Sequence, residues 1–390
     1  MSTTPLNRRS WLKSSLLLAG GAAIVPAAMG KSASVRQQAQ SFSLIHERNL
    51  SFPPDFTKIK ARLLANENPY GPSDKTRLAI MDAVSSGNRY GHQDAQKLKE
   101  MIAEKEGVTP DHIMLGPGST DILEKTAIAQ FVKGGNIVSA DPSYMSLVRT
   151  AMAFGADWKN IPLTADYAHD LKAMLKAIDD DTNLVYVCNP NNPMGSLTPT
   201  ADLKAFCAKA SKKAPVFVDE AYLEFLDDAD AQSMVSLVAE GKDIIVARTF
   251  SKIHGMAGLR VGYGVALPET LAKISSMVRS NMGLSVTSLR GAMASLEDLS
   301  FQEMSRKLTR ETREYVAEEL TSLGFAYVPS HTSFMIFPIE LPGEEYLEKM
   351  FAKGIGVRVF EIDGKPWSRV SMGTMPEMKM FTTALKQVVG

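Results

Sequence analysis

The sequence predicts an α/β fold: a largely parallel sheet with helices on both faces, followed by a smaller α+β region. Three observations predict it. Apolar runs of strand length alternate with helical stretches in units of roughly 30 residues, the size of a βα repeat. Ser119, Tyr144, Asn192, Asp219 and Lys252 each stand just after the carboxyl end of such a run. Open parallel sheets bind their ligands at that edge. Beyond Ser285 the alternation gives way to a long amphipathic helix, short strands and two further helices.

At 390 residues and 45% hydrophobic content, the chain can hold two domains and bury a large core. Forty-three basic and 43 acidic residues balance to a formal charge of zero. That argues against a nucleic-acid partner, whose binding surfaces carry a basic excess. Cys188 and Cys207 fall in a strand-like and a helical pattern and read as buried free thiols. No metal-ligand spacing of Cys and His appears.

Taken in order, the chain opens with Asn7-Arg8-Arg9-Ser10-Trp11-Leu12-Lys13, an apolar stretch from Ser14 to Met29, and small residues at Ala27 to Gly30. A basic start, an apolar middle and a small-residue end make a signal peptide over residues 1–30. Its arginine pair resembles the twin-arginine export signal, which implies delivery of a folded protein to the periplasm. Gly20, Gly21 and Pro26 interrupt the apolar stretch, which is short of the about 20 residues of a membrane span. No stable membrane anchor is expected. Residues 31–70 read as an arm, polar and aperiodic as far as about Pro54, that joins the smaller region.

Helical spacing covers Leu78 to Val84 and Ala95 to Glu106. Ile113 to Leu115 is a short strand, and Gly116-Pro117-Gly118-Ser119-Thr120-Asp121 feeds the helical run Ile122 to Val132. A glycine-rich turn at a helix start offers free N–H groups and the positive end of the dipole to an anion. Helix starts also carry Gly and Ser for stability alone. Asn136 to Ala140 is a strand ending in Asp141-Pro142-Ser143-Tyr144, and Tyr144 by itself equally fits a packed core. Leu184 to Cys188 leads into Asn189-Pro190-Asn191-Asn192-Pro193-Met194-Gly195. Two X-Pro bonds stiffen that loop, and its amides can donate into a site. The helix Ala201 to Ser211 crosses back to Val216-Phe217-Val218-Asp219-Glu220-Ala221-Tyr222. A carboxylate closing an apolar strand needs a partner, a cation or the next helix start.

The β-branched run Ile244 to Val246 suits a buried parallel strand. Thr249, Ser251, Lys252 and Arg260 follow, with Gly255, Gly258, Gly262 and Gly264 allowing tight turns. A lysine in that company suits a carbonyl compound carrying a phosphate: the amine attacks, while hydroxyls and guanidinium hold the dianion. Past Ser285, a helix from Leu299 to Leu323 mixes Arg306, Lys307, Arg310 and Arg313 with glutamates, a solvated face. Strands are expected at Phe325 to Val328, Phe334 to Phe337, Val357 to Val359 and Trp367 to Ser371, with helices at Glu344 to Ala352 and Pro376 to Val388. The expected division is a large domain over 71–285 and a small one over 286–390.

Together these motifs resemble the fold-type I, class I/II aminotransferases. The form Ser251-Lys252-x-x-x-x-Ala257-Gly258-Leu259-Arg260-x-Gly262 is closest to the histidinol-phosphate aminotransferase subgroup. The resemblance runs from about Leu63 to the C-terminus. It implies a mostly parallel seven-stranded sheet sandwiched by helices, as in aspartate aminotransferase, a homodimer, and pyridoxal 5'-phosphate as cofactor. By this resemblance Lys252 condenses with the cofactor aldehyde and then acts as general base, and Asp219 faces the pyridine nitrogen. Tyr222 and Asn192 would hydrogen-bond the ring oxygen O3′, and Tyr144 would stack on the ring. Gly118, Ser119, Thr120, Thr249, Ser251 and Arg260 would hold the phosphate, with Tyr70 of the partner subunit. Arg369, in Arg369-Val370-Ser371-x-Gly373, would grip the substrate α-carboxylate. Arg358 would help hold a substrate phosphate, and Asn68 would stand on the substrate side.

The implied reaction moves an amino group between an amino acid, or a histidinol phosphate-like amine, and a 2-oxo acid. Export points toward an amino acid with an aromatic or imidazole side chain, since histidinol phosphate belongs to a cytoplasmic pathway. Decarboxylases like those of threonine phosphate share the scaffold. A non-catalytic binding protein would have lost Lys252 or Asp219, and both are present.

Overall fold

The computed structural model describes residues 45–48, 55–279 and 283–389. The export signal expected over residues 1–30 lies outside them, as does most of the arm before Asp55. In chain order the strands are β1 (Ile45–Arg48), β2 (Ala61–Arg62), β3 (Ile113–Gly116), β4 (Asn136–Asp141), β5 (Asp157–Pro162), β6 (Thr182–Cys188) and β7 (Val216–Asp219). They continue with β8 (Ile244–Thr249), β9 (Gly262–Val265), β10 (Phe334–Pro338), β11 (Ile355–Gly356), β12 (Arg358–Ile362) and β13 (Lys365–Ser371).

Seven strands form the large sheet in the order β3-β9-β8-β7-β6-β4-β5. Strands β5, β4, β6, β7 and β8 are mutually parallel. Their connections pass through the helices Ser146–Ala153, Leu171–Ala177, Thr200–Ala210 and Val235–Ala239. Strand β9 is antiparallel to both neighbours, β3 and β8. The chain between β8 and β9 holds the Lys252 turn and one 3₁₀ turn, Ala257–Leu259, so no helix carries it across the sheet and β9 returns beside β8.

Both faces of this sheet are covered. Val185 and Val187 of β6 pack into one buried cluster with Leu203 and Phe206, whereas Leu184, Tyr186 and Cys188 pack into another with Ile122 and Leu147. Alternate residues of a strand point to opposite faces, so a strand apolar at every position must be sandwiched. Cys188 and Cys207 are free and buried, as their patterns suggested.

A second sheet, β1-β12-β13-β10, is antiparallel throughout, and β2 pairs with β11 in parallel beside it. Phe337, Tyr346, Phe381 and Leu385 anchor its core against the helices Gly343–Ala352 and Met375–Val389. Two expectations need correction. Strand β1 lies in the stretch read as an aperiodic arm. Residues Phe325 to Val328 form no strand: the Val328 N–H bonds Ile336 O at 3.1 Å, but the Phe325 N–H turns back to Leu320 O at 3.0 Å. Leu289 and Ala292 of the helix Val286–Leu296 share a buried cluster with Leu98 and Val246. Among the described residues, no helix is long and apolar enough to cross a membrane and no group of His, Cys, Asp and Glu could hold a metal ion.

Candidate active site

A cavity of about 700 Å³ opens at the carboxyl edge of the large sheet. Strands β6, β7 and β8 wall one side through Cys188, Asp219 and Thr249, and β12 and β13 close the other through Arg358 and Arg369. Lys252 lies in the turn after β8. Its Nζ donates to Asn66 O at 3.0 Å and stands 5.3 Å from the centre of the Tyr222 ring. Burial, with the Arg369 guanidinium next in effect, lowers this amine to about 8. The uncharged, nucleophilic form is therefore within reach near neutral pH.

Asp219 ends β7 at 3% exposure. It accepts from the Ala221 N–H at 3.1 Å and from the Tyr186 hydroxyl at 3.5 Å. Burial pushes its carboxyl up to about 6 despite those bonds. Asn66 sits in the left-handed region at φ 52°, which asparagine tolerates better than most residues. Its Nδ2 donates to the Tyr222 hydroxyl at 2.9 Å, and its backbone N–H and Oδ1 both engage the Ser371 hydroxyl at 2.8 Å. The arm is thereby tied to the end of β13.

Arg369 is 5% exposed, packed 5.2 Å over the Phe334 ring and 5.1 Å over that of Phe360. Burial pulls its guanidinium down to about 10. Nη1 donates to Asn192 Oδ1 at 2.7 Å and Nη2 to Leu64 O at 3.3 Å, while Nε has no protein partner. A guanidinium only donates, so Asn192 must turn its oxygen to Arg369 and its Nδ2 is left to donate elsewhere.

On the opposite wall the helix Ser119–Phe131 starts without a side-chain cap, behind Gly118 at φ 89°. Its first N–H groups are open to an anion. Arg260 comes to the same place, donating to Ser251 Oγ at 3.2 Å, Ala257 O at 2.9 Å and Pro117 O at 3.2 Å. A Cβ at Gly262 would collide with the Ser119 amide nitrogen, and one at Gly118 with the Arg260 guanidinium. Glycine at those two positions is what lets strand, helix start and arginine converge.

The structure brings Ser119, Thr120, Tyr144, Asn192, Asp219, Tyr222, Thr249, Ser251, Lys252, Arg260, Arg358 and Arg369 to this one cavity, with Gly118 behind Arg260. Asn68 is elsewhere: its Nδ2 donates to Ile253 O at 2.8 Å and Ser305 Oγ at 3.1 Å, pinning the arm to the helix Leu299–Ser322. The amide in the cavity belongs to Asn66, two residues earlier. Tyr70 is half-buried and does not line the cavity of its own chain. Sequence reasoning also missed Ser371, although it stands in the quoted Arg369 motif, and Tyr186, whose hydroxyl no motif marks.

Pyridoxal 5'-phosphate carries an aldehyde, a basic ring nitrogen, a ring hydroxyl and a phosphate. The cavity offers a buried amine, a carboxylate whose hold on its proton is raised by burial, amide and phenol donors, and an uncapped helix start with an arginine. The fit is complete, and it defines the class: an α/β enzyme of fold type I that works through this cofactor.

Comparison with known proteins narrows the class. Residues 58–385 match the family aminotransferase class I and II, and the chain belongs to that family. It is 34% identical over 329 residues to a histidinol-phosphate aminotransferase of Brevibacillus brevis, covering 84% of this chain and 90% of that one. A histidinol-phosphate aminotransferase 2 of Carboxydothermus hydrogenoformans is 35% identical, covering 84% and 91%. A crystal structure of histidinol-phosphate aminotransferase from Sinorhizobium meliloti, in complex with pyridoxal-5'-phosphate, superposes with a TM-score of 0.79 at 26% identity, covering 87% of this chain and 95% of that one. The chain is a pyridoxal-phosphate-dependent aminotransferase, and these relatives do not favour the decarboxylase alternative.

Proposed function

We propose that the protein is exported folded by the twin-arginine route and works in the periplasm as a homodimer. There it passes the amino group of an amino acid, or of a histidinol phosphate-like amine, to a 2-oxo acid. The observation that carries the substrate reading is the pairing, in one cavity, of the Lys252 amine with a buried arginine, Arg369, whose Nε has no protein partner. A nucleophile and a carboxylate receptor face one space. The names of the relatives from B. brevis and C. hydrogenoformans support the phosphorylated amine as a candidate donor.

Bound in the cavity, the cofactor supplies an electron-withdrawing ring that takes up the pair left when the substrate Cα loses its proton. The protein does the rest. Asp219 would keep a proton on the ring nitrogen, and Asn192 Nδ2 with the Tyr222 hydroxyl would hold the ring oxygen. Ser119, Thr120, Thr249, Ser251 and Arg260 would hold the phosphate, and Tyr144 would lie against the ring. Arg369 holds the α-carboxylate and so aims the Cα–H bond at Lys252 Nζ, which takes that proton as base.

A second copy is supported by Leu78, Met81, Val84 and Tyr90, which are 66%, 70%, 63% and 88% exposed. Leu78 and Met81 are three apart on one face of the helix Asp74–Ala83, an apolar row that solvent disfavours. Tyr70 lies at the start of that same segment.

The test is an absorption spectrum of the cofactor-loaded protein as single amino acids, then histidinol phosphate, are added without any oxo acid. Bleaching of the visible band identifies the donor. A band that survives all of them refutes transamination. For export, replacing Arg8 and Arg9 by lysine is expected to hold the protein in the cytoplasmic fraction; unchanged fractionation refutes the route.

A further inference from the structure

We propose that Glu47 is a specificity-determining residue, whose carboxylate fills the anion place beside Arg358 and turns the side-chain subsite from phosphate monoesters toward uncharged side chains. This rests on the aminotransferase reading of the cavity.

The register carries the argument. Arg358 on β12 stands directly opposite Arg369 on β13. Side chains directly opposite in an antiparallel pair share a face, and like charges there repel. Both arginines line the cavity. Two guanidinium groups facing one space call for an anion, and Arg369 takes the substrate carboxylate. The anion for Arg358 comes from the chain itself. On the next strand, β1, Glu47 is opposite Phe360, which lies two residues beyond Arg358 on the same face of β12. From there Glu47 Oε1 accepts from Arg358 Nη1 at 2.6 Å, with the two side chains 33% and 37% exposed. Arg358 and Glu47 act on Arg369 in opposite senses, the first lowering and the second raising its hold on the proton, both after the larger effect of burial. The three charges form one unit at the cavity wall.

Strand β1 precedes residues 58–385, the segment matched to the aminotransferase family. A phosphate reaching Arg358 would have to displace that carboxylate and then lie beside it. A neutral side chain meets no such conflict, and Phe360 and Tyr144 in the same wall offer it aromatic surface.

The test uses the cofactor-loaded protein and two acids that cannot react: 3-phosphonopropionate, with a carboxylate for Arg369 and a phosphonate for Arg358, and 3-phenylpropionate. Dissociation constants are measured by calorimetry for the natural chain, Glu47→Gln, Glu47→Asp, Arg358→Gln and the double variant Glu47→Gln/Arg358→Gln. The natural chain is expected to favour 3-phenylpropionate. Glu47→Gln is expected to shift the ratio toward the phosphonate by roughly 10- to 100-fold, the effect of one charge-assisted contact. In the Arg358→Gln background the same change is expected to move it less than about twofold. Glu47→Asp is expected to keep the natural preference. An unmoved ratio in Glu47→Gln, or equal shifts in Glu47→Gln and Glu47→Asp, which would mean displacement of β1 rather than loss of charge, overturns the proposal. Failure of every donor to bleach the natural chain would sink the transamination reading instead, and leaves the binding ratios free to decide the role of Glu47.

Discussion

The titration of Asp219 in the cofactor-free protein gives the sharpest test of how the site is built. Its carboxyl is 3% exposed and has no ion-pair partner among the described residues; burial raises it from 3.8 to about 6. A shift of roughly 2 pH units corresponds to about 3 kcal/mol at 1.36 kcal/mol per unit. Between these two values the folded chain keeps a proton that the unfolded chain has released. The contribution is therefore intact below about pH 4 and lost as pH rises through about 6. Replacing Asp219→Asn removes the group that titrates. Urea unfolding of the cofactor-free protein from about pH 4 to 7 should show the natural chain losing about 3 kcal/mol relative to Asp219→Asn. Loading the cofactor should shrink that loss, because a cationic ring nitrogen favours the charged carboxylate. Parallel pH profiles for the two chains would refute the reasoning.

Other changes give equally direct readings. Lys252→Ala should retain the cofactor through its phosphate yet lower single-turnover rates by about a thousandfold or more, since it removes both nucleophile and base. Gly262→Ala should drive a methyl group into the Ser119 amide, raise the cofactor dissociation constant at least about tenfold in an absorbance titration, and lower stability by about 1–3 kcal/mol. On the proposed homodimer, Leu78→Asp combined with Met81→Asp should turn a dimer into a monomer in sedimentation velocity and lower activity; a natural chain that already sediments as a monomer refutes the proposed dimer.

The parallel core was legible because its strands are apolar at consecutive positions and each motif sits where its strand ends. Asp219, Asn192 and Lys252 could be placed at one edge on that ground alone. Strand β9 was not legible: Gly262-Tyr263-Gly264-Val265 reads as the tail of a loop motif, and its direction depends on the absence of a crossover helix. Edge strand β5 is also weakly marked, because Asp157 to Pro162 is partly or fully exposed along its length and so carries no apolar run. Asn66 and Asn68 stand two residues apart and carry the same side chain. Only the left-handed backbone at Asn66, stabilised by Ser371, decides which amide enters the cavity. Glu47 lay in a stretch without period, since four residues are too few to display one.

The bonds between Asn66 and Ser371 join positions 305 residues apart. Lys252 makes its hydrogen bond to the carbonyl of that same Asn66. Contacts so remote along the chain form late, after the ordering of nearly everything between them. A growing polypeptide can complete β4, β6, β7 and β8 before β13 emerges, and β13 carries Arg369, the residue assigned to the substrate carboxylate. The two halves of the site are thus finished at different times in synthesis: a chain truncated before Arg369 keeps Lys252 and every residue from Gly118 to Arg260 assigned to the cofactor, yet lacks the arginine assigned to the substrate.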